Sequence, residues 1–176
     1  MIEKVDLNGT HAYKNFIDDE TKGKLLDWTF SNLDKFTYYM NIKERQLFRF
    51  KDYKDYPYSI VKELKDRIIE LENITDWKEE LSTPDFIGVN HKGGYITEHI
   101  DLFEKGYVHT RYNIILSYPD EGGDSIYNSN INKLEENMVW KCEASKFRHG
   151  STVVRSEKPR VTLSIGFLIK EKQSIY

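Results

Sequence analysis

Two segments in the first half of the chain repeat their apolar residues at helical spacing. Over residues 58–72 apolar residues recur every three or four positions, which predicts an amphipathic helix with one buried face. An earlier helix is predicted to begin after Asp18 or Asp19, either of which can cap it, and to run to about Asn32. The apolar residues of these two segments are Leu25, Leu26, Trp28, Phe30, Ile60, Val61, Leu64, Ile68 and Leu71.

After Pro84 the pattern changes to short runs of β-branched and aromatic residues, which favour strands. Glycine-rich and proline-containing turns separate these runs. Their regular spacing is typical of an antiparallel sandwich or barrel and not of a parallel βαβ sheet. The predicted strands are 46–50, 86–90, 95–100, 111–118, 125–128, 138–143, 152–155 and 160–169, with a loop at 51–58.

This order of elements predicts the fold class and the domain organisation. A chain of 176 residues has the usual size of one domain. Helices come first and strands second, so we expect helical support in about residues 1–80 and a β core in about residues 84–170. The sequence therefore predicts a single α+β domain, mainly β, with the helices packed on one outer face of a jelly-roll-like core.

Composition and charge exclude several classes of protein. A content of 39% hydrophobic and 14% aromatic residues suffices for a core, which argues against intrinsic disorder. A formal charge of −3 provides no overall cationic field for nucleic acid or anionic membranes. The single Cys142 excludes a disulfide scaffold. Because no apolar run reaches the roughly 18 residues of a membrane span, we expect a cytoplasmic protein without a membrane partner.

Three residues could together hold a metal ion. His99 and Asp101 stand two positions apart, and on an extended strand such side chains point to the same side. His149 supplies a third donor, and two imidazoles with one carboxylate make the facial triad of non-haem Fe(II) oxygenases, which leaves metal positions open. Taken alone, the first two residues could equally be an ordinary surface pair at a strand end.

The strand that begins at Arg160 has one polar face and one apolar face. Arg160, Thr162 and Ser164 share the polar face, because side chains alternate along a strand. A guanidinium binds a carboxylate through two parallel hydrogen bonds, and the neighbouring hydroxyls can donate to the same group. These residues predict an anchor for the distal carboxylate of an oxoacid cosubstrate. A plain exposed arginine at the start of a strand is the alternative.

Taken in order, these residues resemble a known family. The chain is similar to the Fe(II)- and 2-oxoglutarate-dependent dioxygenase superfamily, nearest to its prolyl 4-hydroxylase-like branch, over roughly residues 86–169. The resemblance implies a double-stranded β-helix with the triad on Fe(II) and Arg160 on 2-oxoglutarate. The motifs that carry it are His99-x-Asp101, Gly122-Gly123-Asp124, His149-Gly150 and Arg160-x-Thr162.

The same resemblance implies a reaction. With O2, 2-oxoglutarate would be decarboxylated to succinate and CO2 while an unactivated C–H bond is hydroxylated. A prolyl residue of a peptide or a free amino acid is the leading substrate, and ascorbate is a candidate additional cofactor. Two rivals stay open: a metal- or ligand-binding β-helix protein without turnover, and a cupin-like metalloenzyme that does not use 2-oxoglutarate. Arg160 beside the triad favours the dioxygenase, because a purely structural metal needs no distal cation.

Other polar residues could line the same pocket. The resemblance implies that Tyr118 helps to hold 2-oxoglutarate, and Asn113 could contact substrate or cosubstrate or merely satisfy backbone groups. Arg111 and Asn113 share one face of the predicted strand and Tyr118 takes the other, unless a bulge intervenes. His91 stands where the family often has a tyrosine, and we interpret both His91 and His109 as loop residues.

Overall fold

The computed structural model of the chain describes residues 1–39, 42–50, 56–102 and 104–171. These residues form two α-helices, α1 (Asp19–Ser31) and α2 (Tyr58–Glu72), and a short 3₁₀ turn at Leu33–Lys35. The strands are β1 (Glu3–Leu7), β2 (Thr10–Lys14), β3 (Thr37–Tyr39), β4 (Ile42–Arg49), β5 (Trp77–Glu79), β6 (Phe86–Asn90), β7 (Ile96–His99), β8 (Tyr107–Ser117), β9 (Ser125–Tyr127), β10 (Asn130–Asn132), β11 (Val139–Cys142), β12 (His149–Ser151) and β13 (Arg160–Lys170).

The strands form two antiparallel sheets. In the major sheet the order is β1-β2-β11-β8-β13-β6-β4-β3, and β5 pairs with β13 outside this path. In the minor sheet the order is β10-β9-β12-β7. The long strands β8 and β13 pair along almost their whole length at the centre of the major sheet. The two sheets make a jelly roll, or double-stranded β-helix, which confirms the predicted fold class.

Two apolar clusters cover the two faces of the major sheet. The outer cluster joins the helices to the sheet, as predicted, and contains Leu25 of α1 and Leu64 of α2. The inner cluster lies between the two sheets and contains Trp140 of β11 and Tyr127 of β9. The alternation of β13 is confirmed, because the four apolar residues predicted to share one face join the outer cluster: Val161, Leu163, Ile165 and Phe167.

Both helices lie where the sequence places them. The side chain of Asp18 accepts a hydrogen bond from the backbone N–H of Thr21 at 2.7 Å and so caps α1. In the part of the chain that the structure describes, neither helix is long and apolar enough to cross a membrane. Most of the loop predicted at 51–58 lies outside the described residues, but α2 begins at Tyr58 within that range.

One strand prediction was wrong, and several strands were not predicted. Residues 152–155 form no strand beyond a bridge at Val154, and the strand in this region is β12, three residues earlier. The first 80 residues also contribute strands β1 to β5 to the major sheet, so the helical support predicted there is itself half β. The short strand β1 extends this sheet through β2, and β2 joins β11 in turn.

A buried carboxylate connects the end of α2 to the major sheet. Glu72 accepts hydrogen bonds from the hydroxyl of Tyr13 at 2.5 Å and from the hydroxyl of Tyr112 at 2.9 Å. Nε2 of His11 lies 2.7 Å from the same carboxylate. Burial alone would raise the pKa of Glu72, but the hydrogen bonds from His11 and the tyrosines outweigh it and lower the pKa to about 2.

Replacing Glu72 by glutamine should make the free energy of unfolding less dependent on pH in the acid range. The pKa of folded Glu72 lies below the usual 4.5, so its stabilisation is full above about pH 4.5 and is lost as the pH falls towards 2. We expect Glu72→Gln to lower the free energy of unfolding by about 3 kcal/mol at pH 7 and by much less near pH 3. Urea unfolding followed by tryptophan fluorescence measures both values, with the exposed Glu63→Gln as control. An equal loss at both pH values would contradict the prediction.

Candidate metal and cosubstrate site

The three predicted donors meet at one end of the minor sheet. His99 ends β7 and is paired directly with His149, the first residue of β12. Asp101 lies just beyond β7, where its backbone N–H donates to the carbonyl of Ala144 at 2.9 Å. Oδ1 of Asp101 lies 3.2 Å from Nε2 of His99 and 3.8 Å from Nε2 of His149. Donors about 2.1 Å from one ion stand about 3 Å apart, so this spacing fits a metal ion.

Backbone carbonyls orient the two imidazoles. Nδ1 of His99 lies 2.7 Å from the carbonyl oxygen of Thr97, and Nδ1 of His149 lies 3.2 Å from that of Phe147. A carbonyl can only accept, so each Nδ1 carries the proton and each Nε2 presents a lone pair towards Asp101. Burial lowers the pKa of His149, which favours the neutral form that a metal requires.

The second oxygen of Asp101 is held by a buried histidine. Nδ1 of His109 lies 3.2 Å from Oδ2 of Asp101, and its Nε2 lies 3.4 Å from Nη1 of Arg111. Because Arg111 can only donate, Nε2 accepts and the Nδ1–H points at the carboxylate. Burial and the charge of Arg111 lower the pKa of His109 to about 4, so the ring is neutral. The interpretation of His109 as a loop residue was wrong, because it lies within β8.

Replacing His109 by leucine should weaken metal binding without removing a donor atom from the triad. Groups that orient a ligand typically contribute about 10–100-fold to metal affinity, and we expect a loss in this range. His109→Asn, which keeps a side-chain N–H close to Nδ1, should recover part of it. Anaerobic competition for Fe(II) against a coloured chelator measures both affinities. Equal affinities in wild type and both variants would contradict a positioning role.

Two adjoining cavities open beside the triad. The metal-side cavity is lined by the triad together with Arg111, Cys142 and residues of β4. The arginine-side cavity extends from His149 to Arg160 and Thr162 of β13. Both lie against the inner face of the major sheet, and the side chains that line both of them are Arg45, Phe86, Ile96, Asn113 and His149.

The arginine-side cavity contains polar atoms that nothing in the described chain satisfies. Arg160 is only 4% exposed, and its Nη2 donates to the hydroxyl of Ser125 at 3.0 Å. Its Nε and the hydroxyl of Thr162 are buried without a hydrogen-bond partner. Burial lowers the pKa of Arg160 to about 10, so the guanidinium is still charged at neutral pH. A buried cation beside a free hydroxyl fits a carboxylate ligand.

A glycine turn closes over the stem of Arg160. Gly123 has a φ of +70°, and a Cβ at this position would lie 2.6 Å from Cγ of Pro119 and 3.4 Å from Cδ of Arg160. Only glycine combines this backbone conformation with such close contact. The Gly122-Gly123-Asp124 motif therefore serves to pack the guanidinium into the cavity wall.

Comparison with known proteins identifies solved structures that share this fold. No model of a protein family matches the chain, and no curated protein matches its sequence. Solved structures do. The viral collagen prolyl hydroxylase of Paramecium Bursaria Chlorella virus-1, solved with 2-oxoglutarate, is 13% identical, with 97% of this chain and 96% of that chain covered and a TM-score of 0.65. The chain shares the fold of that structure, a double-stranded β-helix.

Two further structures agree. A prolyl hydroxylase from Trichoplax adhaerens, bound to a peptide of hypoxia inducible factor, is 14% identical with a TM-score of 0.67, covering 92% of this chain and 84% of that one. HygX from Streptomyces hygroscopicus, solved with nickel and 2-oxoglutarate, is 10% identical with a TM-score of 0.67, covering 92% and 83%. At these identities the likeness concerns the fold alone, the double-stranded β-helix that the resemblance of the sequence implied.

Two of the predicted cosubstrate residues hydrogen-bond other side chains of the protein. The hydroxyl of Ser164 donates to Oδ1 of Asn113 at 2.7 Å and accepts from Nε of Arg111 at 2.7 Å, so it is engaged in the metal-side cavity. The hydroxyl of Tyr118 donates to Asp124 at 2.6 Å in a separate surface depression. Thr162 and Asn113 line the arginine-side cavity with Arg160, and Tyr118 with Asp124 lies close enough to act on the charge of Arg160. The cosubstrate roles of Ser164 and Tyr118 stay predictions.

A bulge explains the position of Tyr118. Ile115 is paired with Thr162 but Ser117 with Val161, which leaves Leu116 as an extra residue of β8. The extra residue reverses the alternation, so Tyr118 faces the inner side of the sheet, as Arg111 and Asn113 do, and packs against the inner cluster. Before the bulge, Arg111 and Asn113 face the cavities. This is the first of the two orientations that the sequence left open for that strand.

Besides His109, the sequence analysis gave no role in the site to two buried arginines. Arg45 of β4 lines both cavities, and Arg111 is buried with hydrogen bonds to Ser164 and to the carbonyl oxygen of Thr83. The sequence of β8 did contain a signal: the polar residues His109, Arg111 and Asn113 stand two positions apart, which puts them on one face of the strand. Arg45 carried no such signal among the charged residues of its strand.

Proposed function

We propose that the protein is a non-haem Fe(II)- and 2-oxoglutarate-dependent dioxygenase that hydroxylates an unactivated C–H bond. In this proposal His99, Asp101 and His149 bind Fe(II), and Arg160 with Thr162 binds the distal carboxylate of 2-oxoglutarate. The observation that carries it is the pairing of two features in adjoining cavities. Three side chains that could hold a metal ion lie beside a buried guanidinium, and the Nε of that guanidinium and a neighbouring hydroxyl lack hydrogen-bond partners.

This pairing distinguishes the proposal from its rivals. A structural metal site needs donors and nothing more, and an isolated buried charge is costly unless a ligand compensates it. Here the chain keeps Arg160 buried one cavity away from the triad. An oxoacid with two carboxylates supplies one anion for the metal and one for Arg160.

The residues of this chain prepare the site before any ligand binds. The carbonyls of Thr97 and Phe147 fix the imidazole tautomers, and His109 orients the carboxylate of Asp101. The apolar walls at Phe86 and Ile96 limit access of water. When bound, Fe(II), 2-oxoglutarate and O2 supply the oxidative chemistry, which yields succinate, CO2 and a hydroxylated product.

The substrate is proposed from the same comparisons. One of the solved structures is named a collagen prolyl hydroxylase, a second holds a peptide, and HygX is also solved with hygromycin B bound. These names span peptides and small molecules. We accordingly propose a prolyl residue of a peptide or a small molecule such as a free amino acid as the substrate of this chain.

Anaerobic titration of the metal-free protein with Fe(II) and then 2-oxoglutarate tests the proposal. An oxoacid bound to ferrous iron through its keto group and carboxylate produces a weak visible charge-transfer band. We expect this band to appear only when both components are present. Succinate, which has two carboxylates but no keto group, should give no band and serves as the matched control.

Two results would contradict the proposal. Failure of the folded protein to bind Fe(II) would remove the metal site. Binding of Fe(II) without a band in the presence of 2-oxoglutarate would favour a cupin-like or non-catalytic metal protein instead.

A further inference from the structure

A second buried arginine faces the site without a counter-ion. Arg45 of β4 is 7% exposed and lines both cavities beside His149. Its guanidinium carbon lies 4.3 Å from the centre of the Tyr39 ring, a cation–π contact that holds its plane. Among the described residues, no carboxylate lies within ion-pair distance of Arg45, and no hydrogen bond of its guanidinium is found.

The other two buried arginines of the cavities differ from Arg45, because both donate hydrogen bonds to serine hydroxyls and both have carboxylates whose charge acts on them. Arg111 lies in the field of Asp85 and of the other carboxylates near it, and Arg160 lies in the field of Asp124. The charged neighbours that act on Arg45 are Arg160 and another arginine, and together with burial they lower its pKa to about 10. Arg45 is therefore still a cation at neutral pH and is placed among cations.

The cosubstrate does not remove this excess charge. In the proposed function one carboxylate of 2-oxoglutarate lies on Arg160 and the other lies at the metal. Both carboxylates of 2-oxoglutarate are then bound elsewhere, and Arg45 still has no anionic partner. A buried guanidinium without a counter-ion is costly, and a ligand that supplies a carboxylate would compensate it.

We propose that Arg45 binds a carboxylate of the substrate, which is therefore a carboxylic acid placed in the metal-side cavity. This inference rests on the proposed function and deepens it. The exposed Arg49 lines the same cavity and adds positive charge that attracts an anion. A free amino acid and the C-terminus of a peptide share the required group, and they are distinguished below.

The test measures succinate release by the Fe(II)-loaded enzyme with a panel of twenty L-amino acids and their carboxamides. The panel also contains N-acetylated dipeptides with a free or an amidated C-terminus. We expect stimulation by members with a free carboxylate and not by the matching amides. Stimulation by amino acids alone identifies a small-molecule substrate, and stimulation by the dipeptide acids identifies a peptide C-terminus.

Variants of Arg45 then assign the effect to this residue. Arg45→Met should raise the KM for the stimulating acid at least about tenfold and leave the KM for the oxoacid cosubstrate within twofold, because a charge-assisted pair is lost only on the substrate side. Arg45→Lys should recover part of the loss. The exposed Arg155→Met should change neither constant, and the charge-transfer band in Arg45→Met verifies that the metal and cosubstrate sites are intact.

Three outcomes would overturn the inference. Amides could stimulate as well as acids, Arg45→Met could change only the KM for the oxoacid cosubstrate, or no carboxylic acid of the panel could stimulate an enzyme that gives the band. In each case the band is present and the proposed function stands, whereas absence of the band in wild type removes both.

Discussion

Replacing His99 by alanine should abolish Fe(II) binding and, with it, all turnover of 2-oxoglutarate. The variant removes one of three donor atoms that lie within 4.8 Å of one another. Loss of a group that merely orients a ligand costs about 10–100-fold in metal affinity, so loss of a ligand should cost more than about 100-fold. The side chain of His99 is 40% exposed, so its truncation leaves the two apolar clusters in place.

His91→Ala is the matched control for this variant. Nε2 of His91 lies 2.9 Å from Oε1 of Gln46, and neither cavity beside the triad is lined by His91. Anaerobic competition for Fe(II) measures affinity, and the charge-transfer band with 2-oxoglutarate reports the complete site. Wild-type affinity in His99→Ala would show that the metal, if bound, lies elsewhere. A loss in both variants would point to a general disturbance of the fold.

Replacing Arg160 by methionine should separate cosubstrate binding from metal binding. Removing one partner of a buried charge pair costs about 2–5 kcal/mol, which corresponds to a loss of at least roughly 30-fold in affinity for 2-oxoglutarate. The affinity for Fe(II) should stay within twofold, because Arg160 lines the arginine-side cavity and lies outside the triad. Titration of the charge-transfer band with 2-oxoglutarate measures the first quantity, and chelator competition measures the second.

The exposed Arg155→Met controls for the loss of a positive charge. Arg155 pairs only loosely with Glu121, at 3.5 Å, on the surface. Since Arg160 is a buried charge without a carboxylate within ion-pair distance among the described residues, Arg160→Met should not unfold the protein. Unchanged affinity for 2-oxoglutarate in Arg160→Met would place the distal carboxylate on another residue and would make Arg45 the first candidate.

The parts of the site that could be predicted depend on short-range patterns. The two faces of β13 follow from alternation along a strand, and the closeness of His99 and Asp101 follows from their spacing of two residues, although Asp101 lies just beyond β7. The helix α2 follows from its apolar repeat in the same way. These patterns need no knowledge of a neighbouring strand, and the structure agrees with each of them.

The parts that could not be predicted depend on strand pairing. The bulge at Leu116 exists only relative to β13, and it decides where Tyr118 points. Strand β1 is mostly exposed and polar, and its place is determined by β2. Arg45 is a charged residue in a strand of charged residues, and only the sheet shows that it is buried.

The donors of the triad come from distant parts of the chain and meet only through the pairing of β7 with β12. An unfolded chain therefore cannot bring His99 and His149 to one ion. A ligand that requires both binds the folded state alone, and its binding free energy adds to that of folding by mass action. A metal ion held by both histidines would therefore raise the free energy of unfolding of the folded protein, and its removal would lower it.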